Sequence, residues 1–327
     1  MNKKKANDKS IAQDIQPIDD AFRGPTKYVA TEWWYFDAIF NNNYSAVISF
    51  TKSSKKNLLS FPTIEIYKNG EFVVRAIKRY IFQDFQISKQ IPFVKLFNDK
   101  VIEFDSDRFN NRGEWVYNIS LKIDNHETNL VFKGTTKGWK IKSKTVGSWT
   151  VALPKASVDG DIVVHGNRLK VEGIGYHDHN WISGSLSTVL NLRCWYWGKI
   201  LGKTLGIVWA NVINTSSEEE LLAVVNQDNQ GYFPIDSKNI YFNSNKFIRN
   251  YGRKMPTSFT LKIDDIVNNT PIFVDLKMDV KGIHRRFKRM LISPYWRYHV
   301  KATGIISLGS IKETINSTQI MEFFRSI

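Results

Sequence analysis

The sequence predicts an all-β protein built as two antiparallel β-barrels in tandem. Three observations carry this. Short stretches alternate apolar and polar residues with a period of two, and Gly, Asn and Asp punctuate them. No amphipathic stretch calls for a helix longer than about three turns. The 327 residues give each half room for a barrel of around eight strands, a size whose interior holds one small ligand.

The elements follow in order. Residues 1–20 are polar, carry a basic run at Lys3–Lys5, and read as a disordered tail. No apolar stretch follows that run, so it reads as neither a signal peptide nor an anchor. "TIEIYKNGEFVVRAIKRY", Thr63–Tyr80, is a hairpin around Asn69-Gly70, a pair that tolerates the positive φ of a type I′ turn. Glu114–Ile123 alternates as a strand. Asp161–Tyr176 is a second hairpin, turning at His165, Gly166 and Asn167. Further strands read from Leu205–Ile213, Glu220–Gln227, Ser258–Ile263, Ile272–Val280 and Val300–Leu308, with Ser216–Glu220 as an exposed loop. Small polar residues at Ser183–Thr188 interrupt the pattern. They set a boundary between a first barrel at 21–184 and a second at 185–327. No repeat relates the halves.

Composition narrows the function classes. Ten Trp and 21 Phe are enough to line an apolar pocket as well as fill a core; a β-rich chain also favours aromatics for packing alone. The net charge of +15 is dispersed, with a cluster at Arg285, Arg286, Lys288 and Arg289. No groove-reading or base-stacking motif accompanies it, so nucleic acid is not an expected partner. Peripheral contact with an anionic membrane surface is. Cys194 is the single cysteine, which excludes an intramolecular disulfide and fits a reducing cytoplasm. No run of about 18 apolar residues predicts a spanning helix.

Chemistry concentrates in "GIGYHDHNW", Gly173–Trp181. On a strand, His177, His179 and Trp181 share one face, and Tyr176, Asp178 and Asn180 the other. The two glycines leave room for a close approach of backbone or ligand. On a regular strand Asp178 braces the loop or orients an imidazole. Where the chain bends, it enters the pocket and, with a pKa raised by burial, donates a proton. "EWWYFDA" places Glu32, Trp34 and Phe36 on one face. A carboxylate among indoles needs a partner: the imidazoles of the first motif, or an Arg such as Arg193 that merely ties two strands. "RCWYWG" adds Trp195 and Trp197, and Trp209 follows; such an indole wall stabilises a developing cation or simply packs. His177 and His179 also sit at a chelating spacing, with His165, Glu32 or Asp37 as a third ligand. An acid–base cluster fits them equally, and no metal is assigned.

Together, "EWWYFDA", "GxGYHDHNW" and "WxWG" resemble the AttH-like and carotenoid 1,2-hydratase group over about residues 20–325. The resemblance implies two lipocalin-like barrels in one chain and an apolar substrate. It implies water addition to a C=C bond of an isoprenoid, such as a carotenoid or a prenyl-lipid chain, without a cofactor. An acid protonates the alkene, aromatic faces stabilise the tertiary cation, and activated water adds. His179 and Trp181 match the hydratases' His-x-Trp. The group's Tyr and Asp on a following strand are replaced here by Trp209 and Asn211, so Asp178 or Glu32 must supply the proton. Ile182 replaces the motif's usual Gly. The expected catalytic groups are thus Asp178, His179, His177 and Glu32, with Trp181, Tyr176, Trp34, Trp195, Trp197, Trp209 and Asn211 against the substrate. A non-catalytic carrier and a cofactor-free cyclase or isomerase are the alternatives.

Overall fold

The computed structural model describes residues 12–24, 29–53, 59–143, 147–183, 192–250, 252–285 and 295–325. The Lys3–Lys5 run, the junction beyond Ser183, and Arg286, Lys288 and Arg289 lie outside them. The chain divides into two compact units, one spanning Ala12–Thr188 and the other taking in Val189–Ile327. Each is an antiparallel sheet curved over its own apolar core, so the fold is all-β with two lipocalin-like barrel units in tandem. Among the described residues the longest helix is the seven-residue Ser106–Arg112. No helix among them is long and apolar enough to cross a membrane.

In the first unit, Val29–Phe40 pairs on one side with Tyr44–Ser53 and on the other with Asn167–Ser183, which pairs in turn with Gly147–Val164. The turn chemistry read from sequence holds. Asn69 and Gly70 have φ of 53° and 80°, and His165 and Gly166 of 50° and 81°. Val164 opposes Asn167, so the second turn is two residues long and fixes the register of the strand it begins. That strand carries "GIGYHDHNW". Its glycines serve close neighbours: a Cβ on Gly173 would lie 2.1 Å from the Ile39 carbonyl oxygen, and one on Gly175 2.5 Å from the Val158 side chain, 2.6 Å from the Phe132 ring and 2.7 Å from the Asp37 carbonyl oxygen.

In the second unit, Leu192–Leu201 lies between Leu205–Asn214 and Ile311–Arg325, and Tyr295–Leu308 pairs beyond the latter. Its inward face holds Trp209, Phe259, Trp296, Tyr298 and Phe323.

The tail expected at residues 1–20 is corrected over 12–20. Gln13–Asp14 pairs with Trp139–Ser143, Ile15 joins the core, and Pro17–Asp20 forms a helical turn. The Gln16 N–H donates to Asp19 Oδ2 at 3.0 Å, and Asp19 ion-pairs with Lys140 at 2.9 Å. Burial opposes ionisation of Asp19, but the Gln16 and Lys140 contacts hold its carboxyl below the ordinary value. The polar composition of this segment hides sparse anchors, Ile15, Ala21 and Phe22, that seat it on the core. The result is a fully buried Asp20.

Candidate active site

The inward face of Asn167–Ser183 is the histidine face. His177 opposes Phe36, His179 opposes Trp34, and Trp181 opposes Glu32 across the strand pair. Facing residues share a side of the sheet, so the sequence-derived faces of both motifs meet. The His177 ring stacks on Phe36 at 3.7 Å and 5°, and the His179 ring on Trp34 at 4.3 Å and 11°. The Tyr117 edge meets His177 at 4.7 Å. Trp181 lies 5.4 Å from His179 and carries the Arg23 guanidinium over its own ring at 4.7 Å.

The hydrogen bonds fix the proton inventory. His177 Nδ1 lies 3.0 Å from the Tyr35 carbonyl oxygen. A carbonyl only accepts, so Nδ1 carries a proton. The other nitrogen, Nε2, lies 2.9 Å from Asp20 Oδ2. Across that contact the pair holds one further proton, as imidazolium with carboxylate or as imidazole with carboxylic acid. Tyr117 donates its hydroxyl to the same Asp20 oxygen at 2.7 Å. Burial, reinforced by the Asp20 charge, pushes the Tyr117 phenol well above its ordinary value, so it stays a donor.

The second pair is His179 with Glu32. His179 Nε2 lies 2.8 Å from Glu32 Oε1, which also accepts the Arg23 backbone N–H at 2.8 Å. His179 Nδ1 is 3.5 Å from Asp20 Oδ1. That nitrogen, that oxygen and Glu32 Oε2 are buried without a hydrogen-bond partner. They are the polar atoms of this cluster with hydrogen-bonding capacity left over. Lys52, opposite Glu32 on the next strand, is buried with its Nζ 3.9 Å from the Phe22 ring centroid. Burial pulls its ammonium down to about 8, against the raising effect of Glu32.

Asp178 and Tyr176 are corrected. The pairing of Asn167–Ser183 with Val29–Phe40 runs without a shift from Gly173 through Ile182, so the chain does not bend Asp178 inward. Asp178 lies on the opposite face, where Oδ2 accepts from the Trp149 indole at 2.9 Å and the Tyr176 hydroxyl at 2.8 Å. Burial raises its carboxyl to about 6, with those two hydrogen bonds opposing. Tyr35 and Asp37, joined at 2.8 Å, share that face. Glu32, the other expected acid, is where the sequence placed it, and its partner is His179.

Four expected substrate contacts belong to the second unit. Trp209 sits in its core, and Asn211 donates to Glu219 at 2.8 Å. Trp195 stacks on Phe324 at 4.4 Å. Trp195 and Trp197 take the face opposite the core-facing Tyr196, so they form no common wall with Trp209. His165 occupies a hairpin turn beside His126, 4.9 Å between rings. It is twelve residues along the strand from His177, about 40 Å at strand rise, and supplies no third ligand.

Sequence reasoning missed Asp20, Tyr117 and Lys52. Tyr117 and Lys52 were readable as inward positions of alternating strands. Asp20 had only its spacing from Ile15, Ala21 and Phe22 as a signal.

No family model matches the chain. It is 26% identical over 77 residues to the quinolone epoxide rearrangement protein penF of Penicillium thymicola and 32% identical over 74 residues to asqO of Emericella nidulans, described in the same words. These matches span 24% and 23% of this chain and only 21% and 20% of those proteins, about a fifth of their length. Among solved structures, a Nitrosomonas europaea protein provisionally assigned as AttH superposes with a TM-score of 0.67 at 13% identity, covering 96% of this chain and 98% of that one. Kievitone hydratase of Nectria haematococca gives 0.56 at 12% identity, and CghA with Sch210972 gives 0.56 at 9%; each covers 91% of this chain and 89% of its own. The chain therefore has the AttH-like fold.

Proposed function

We propose that this chain is a cofactor-independent acid–base enzyme of the AttH-like group, acting on an apolar substrate in the first unit. The observation that supports it is the coupled pair of buried imidazole–carboxylate contacts, Asp20–His177 and Glu32–His179, between aromatic faces. A bulk core gains nothing from four such groups, whose burial costs several kcal/mol each unless paired.

Hydration of an isoprenoid C=C bond uses them as follows. Glu32 accepts His179 Nε2–H, which leaves Nδ1 as the proton-transfer atom. Nδ1–H protonates the less substituted alkene carbon, forming a C–H bond and a tertiary cation. The faces of Trp34 and Trp181 stabilise that charge. Water adds to the cation as a C–O bond forms. Its surplus proton passes to the Asp20–His177 pair and returns to His179 across the 3.5 Å gap, so the enzyme is unchanged. The dispersed charge of +15 supports an anionic membrane surface as the source of a prenyl chain.

The similarity to epoxide rearrangement proteins favours a second reading. There the same acid protonates an epoxide oxygen and the carbon skeleton rearranges or cyclises with no water added. Incubation with prenyl and epoxide substrates in isotopically heavy water, followed by mass spectrometry, separates the two. Gain of one labelled water supports hydration, and an isomer of unchanged mass supports rearrangement. Binding with no conversion of either would leave a carrier and overturn the enzymatic reading.

A further inference from the structure

The second unit's sheet ends in an edge strand, Ile240–Asn250, which forms a hairpin with Arg253–Val267; Asn250 opposes Arg253. From Asn245 to Arg249 five successive residues are exposed. Side chains alternate between faces along a strand, so both faces of this stretch meet solvent. Phe247 and Ile248, one on each face, are 46% and 44% exposed. Their partners across the hairpin, Pro256 and Met255, are buried. The exposure thus belongs to the edge strand, and the hairpin itself is seated on its core.

Positive charge surrounds the two apolar residues. Lys246, Arg249 and Lys254 are exposed and Arg253 is half-buried, and the sequence from Asn245 to Pro256 contains no carboxylate. Lys254 Nζ stands over the Phe247 ring at 4.3 Å, so cation and apolar face are presented together. None of the four cations has an ion-pair partner among the described residues. By contrast Lys238, Lys262 and Lys277 of the same unit lie 3.1, 2.8 and 2.7 Å from Asp236, Asp275 and Asp279. The Asp279 carboxylate, within the field of Lys246, is thus already held by Lys277.

These features select the occupant. An exposed edge invites strand addition by another chain, but Lys246 has a φ of 50°, which takes the backbone out of the extended form inside the exposed stretch. Uncompensated cations around two apolar side chains instead match an anionic bilayer, where Lys and Arg meet the headgroups and apolar side chains enter the acyl boundary. We infer that the hairpin where Ile240–Asn250 meets Arg253–Val267 is the surface by which this chain docks on an anionic lipid membrane. Phe247 and Ile248 enter the acyl boundary, while Lys246, Arg249, Arg253 and Lys254 lie in the headgroup layer. The inference rests on the proposed membrane source of the substrate, and none of the acid–base groups of the first unit takes part.

The test is co-sedimentation of the full chain, without substrate, with phosphatidylcholine vesicles in which about one lipid in three is phosphatidylserine. Binding should exceed that to pure phosphatidylcholine and fall as salt rises. Arg249→Glu with Lys254→Glu should weaken it by more than about tenfold, and Phe247→Ser by roughly tenfold. Lys122→Glu with Lys170→Glu changes the net charge equally at exposed positions of the first unit, and should weaken binding by less than about threefold. Asp20→Asn should bind vesicles as the parent does. A chain that docks in this way yet converts no prenyl substrate would sink the proposed reaction and leave the docking surface standing. Equal losses from the two double variants, or vesicle binding that Arg249→Glu with Lys254→Glu leaves intact, overturn the inference. So does tighter binding to polyuridylate that the same reversals weaken, which would give the face to nucleic acid. A solution dimer that Phe247→Ser dissociates would give it to a second copy and overturn the inference equally.

Discussion

His177 Nε2 and Asp20 Oδ2 lie 2.9 Å apart although 157 residues separate them in the chain. The contact joins the end of a long strand to a helical turn that precedes the first barrel strand. Because the Tyr35 carbonyl holds the other ring nitrogen as a donor, the pair stores one movable proton. Asp20, and not Asp178, is thus the aspartate that meets the imidazoles, from the other side of the sheet.

Replacing each of these two acids should therefore have opposite consequences. Asp20→Asn keeps an acceptor for Tyr117 but cannot share the His177 proton. Turnover should fall by roughly 10²–10⁴-fold, with substrate affinity and melting temperature near those of the parent. Asp178→Asn should keep turnover within about threefold of the parent. Steady-state kinetics on whichever substrate class proves active checks both. Equal losses in the two variants would remove Asp20 from its assigned role.

Asp178 should instead govern stability. Its folded pKa of about 6 exceeds the unfolded value of about 3.9. The folded state therefore binds the proton more tightly, and the group's contribution is present at low pH and lost as pH rises through about 6. Between pH 4.5 and 7 this amounts to a loss of about 2 kcal/mol. Asp178→Asn retains an acceptor for Trp149 and Tyr176 and should remove that slope. Urea unfolding at the two pH values measures it; a variant with the parent's slope would refute the assignment.

What was legible in the sequence follows from which signals are local. The hairpins at Asn69-Gly70 and His165-Gly166 rest on backbone angles that few residues adopt, so the turns and the strands beside them were readable. Strand alternation correctly grouped His177 with His179 and Glu32 with Trp34, since that depends only on parity. Which group faces the core depends on the partner strand, and Asp178 was misplaced for that reason. Asp20 was lost because composition averages over a segment in which only Ile15, Ala21 and Phe22 reach the core. Trp209 was placed against the substrate by the family resemblance, and the structure puts its strand in the second unit's sheet.

The glycine before Ile174 should be among the least replaceable positions in the first unit. A Cβ on Gly173 would meet three backbone atoms of the adjacent strand, at 2.1 Å from Ile39 O, 2.9 Å from Ile39 C and 2.8 Å from Phe40 Cα. Backbone cannot rotate away as a flexible side chain would. Gly173→Ala should destabilise by more than about 3 kcal/mol and forfeit the strand pairing that aligns His177 with Phe36. Gly166→Ala meets nothing within 4 Å and should cost only the strain of its positive φ, about 1 kcal/mol. Comparable melting temperatures for the two variants would contradict this.

The second unit should respond to acid in the opposite sense from Asp178. His299 is buried on Tyr295–Leu308, its ring 5.7 Å from that of His284. Burial first, and then the nearby His284, Arg297 and Lys199, depress its pKa to about 3. The unfolded imidazole takes a proton near 6.5. Between those values the unfolded state binds more protons, so stability is complete above about 6.5 and is lost as pH falls. From pH 7 to pH 5 the loss should be about 2 kcal/mol. His299→Gln has no group to protonate in either state and should abolish this part of the acid sensitivity, while Asp178→Asn leaves it in place. Hydrogen exchange of the 295–308 amides at pH 7 and 5 reads the second unit separately. Acid-induced opening there that persists unchanged in His299→Gln would assign it to another group.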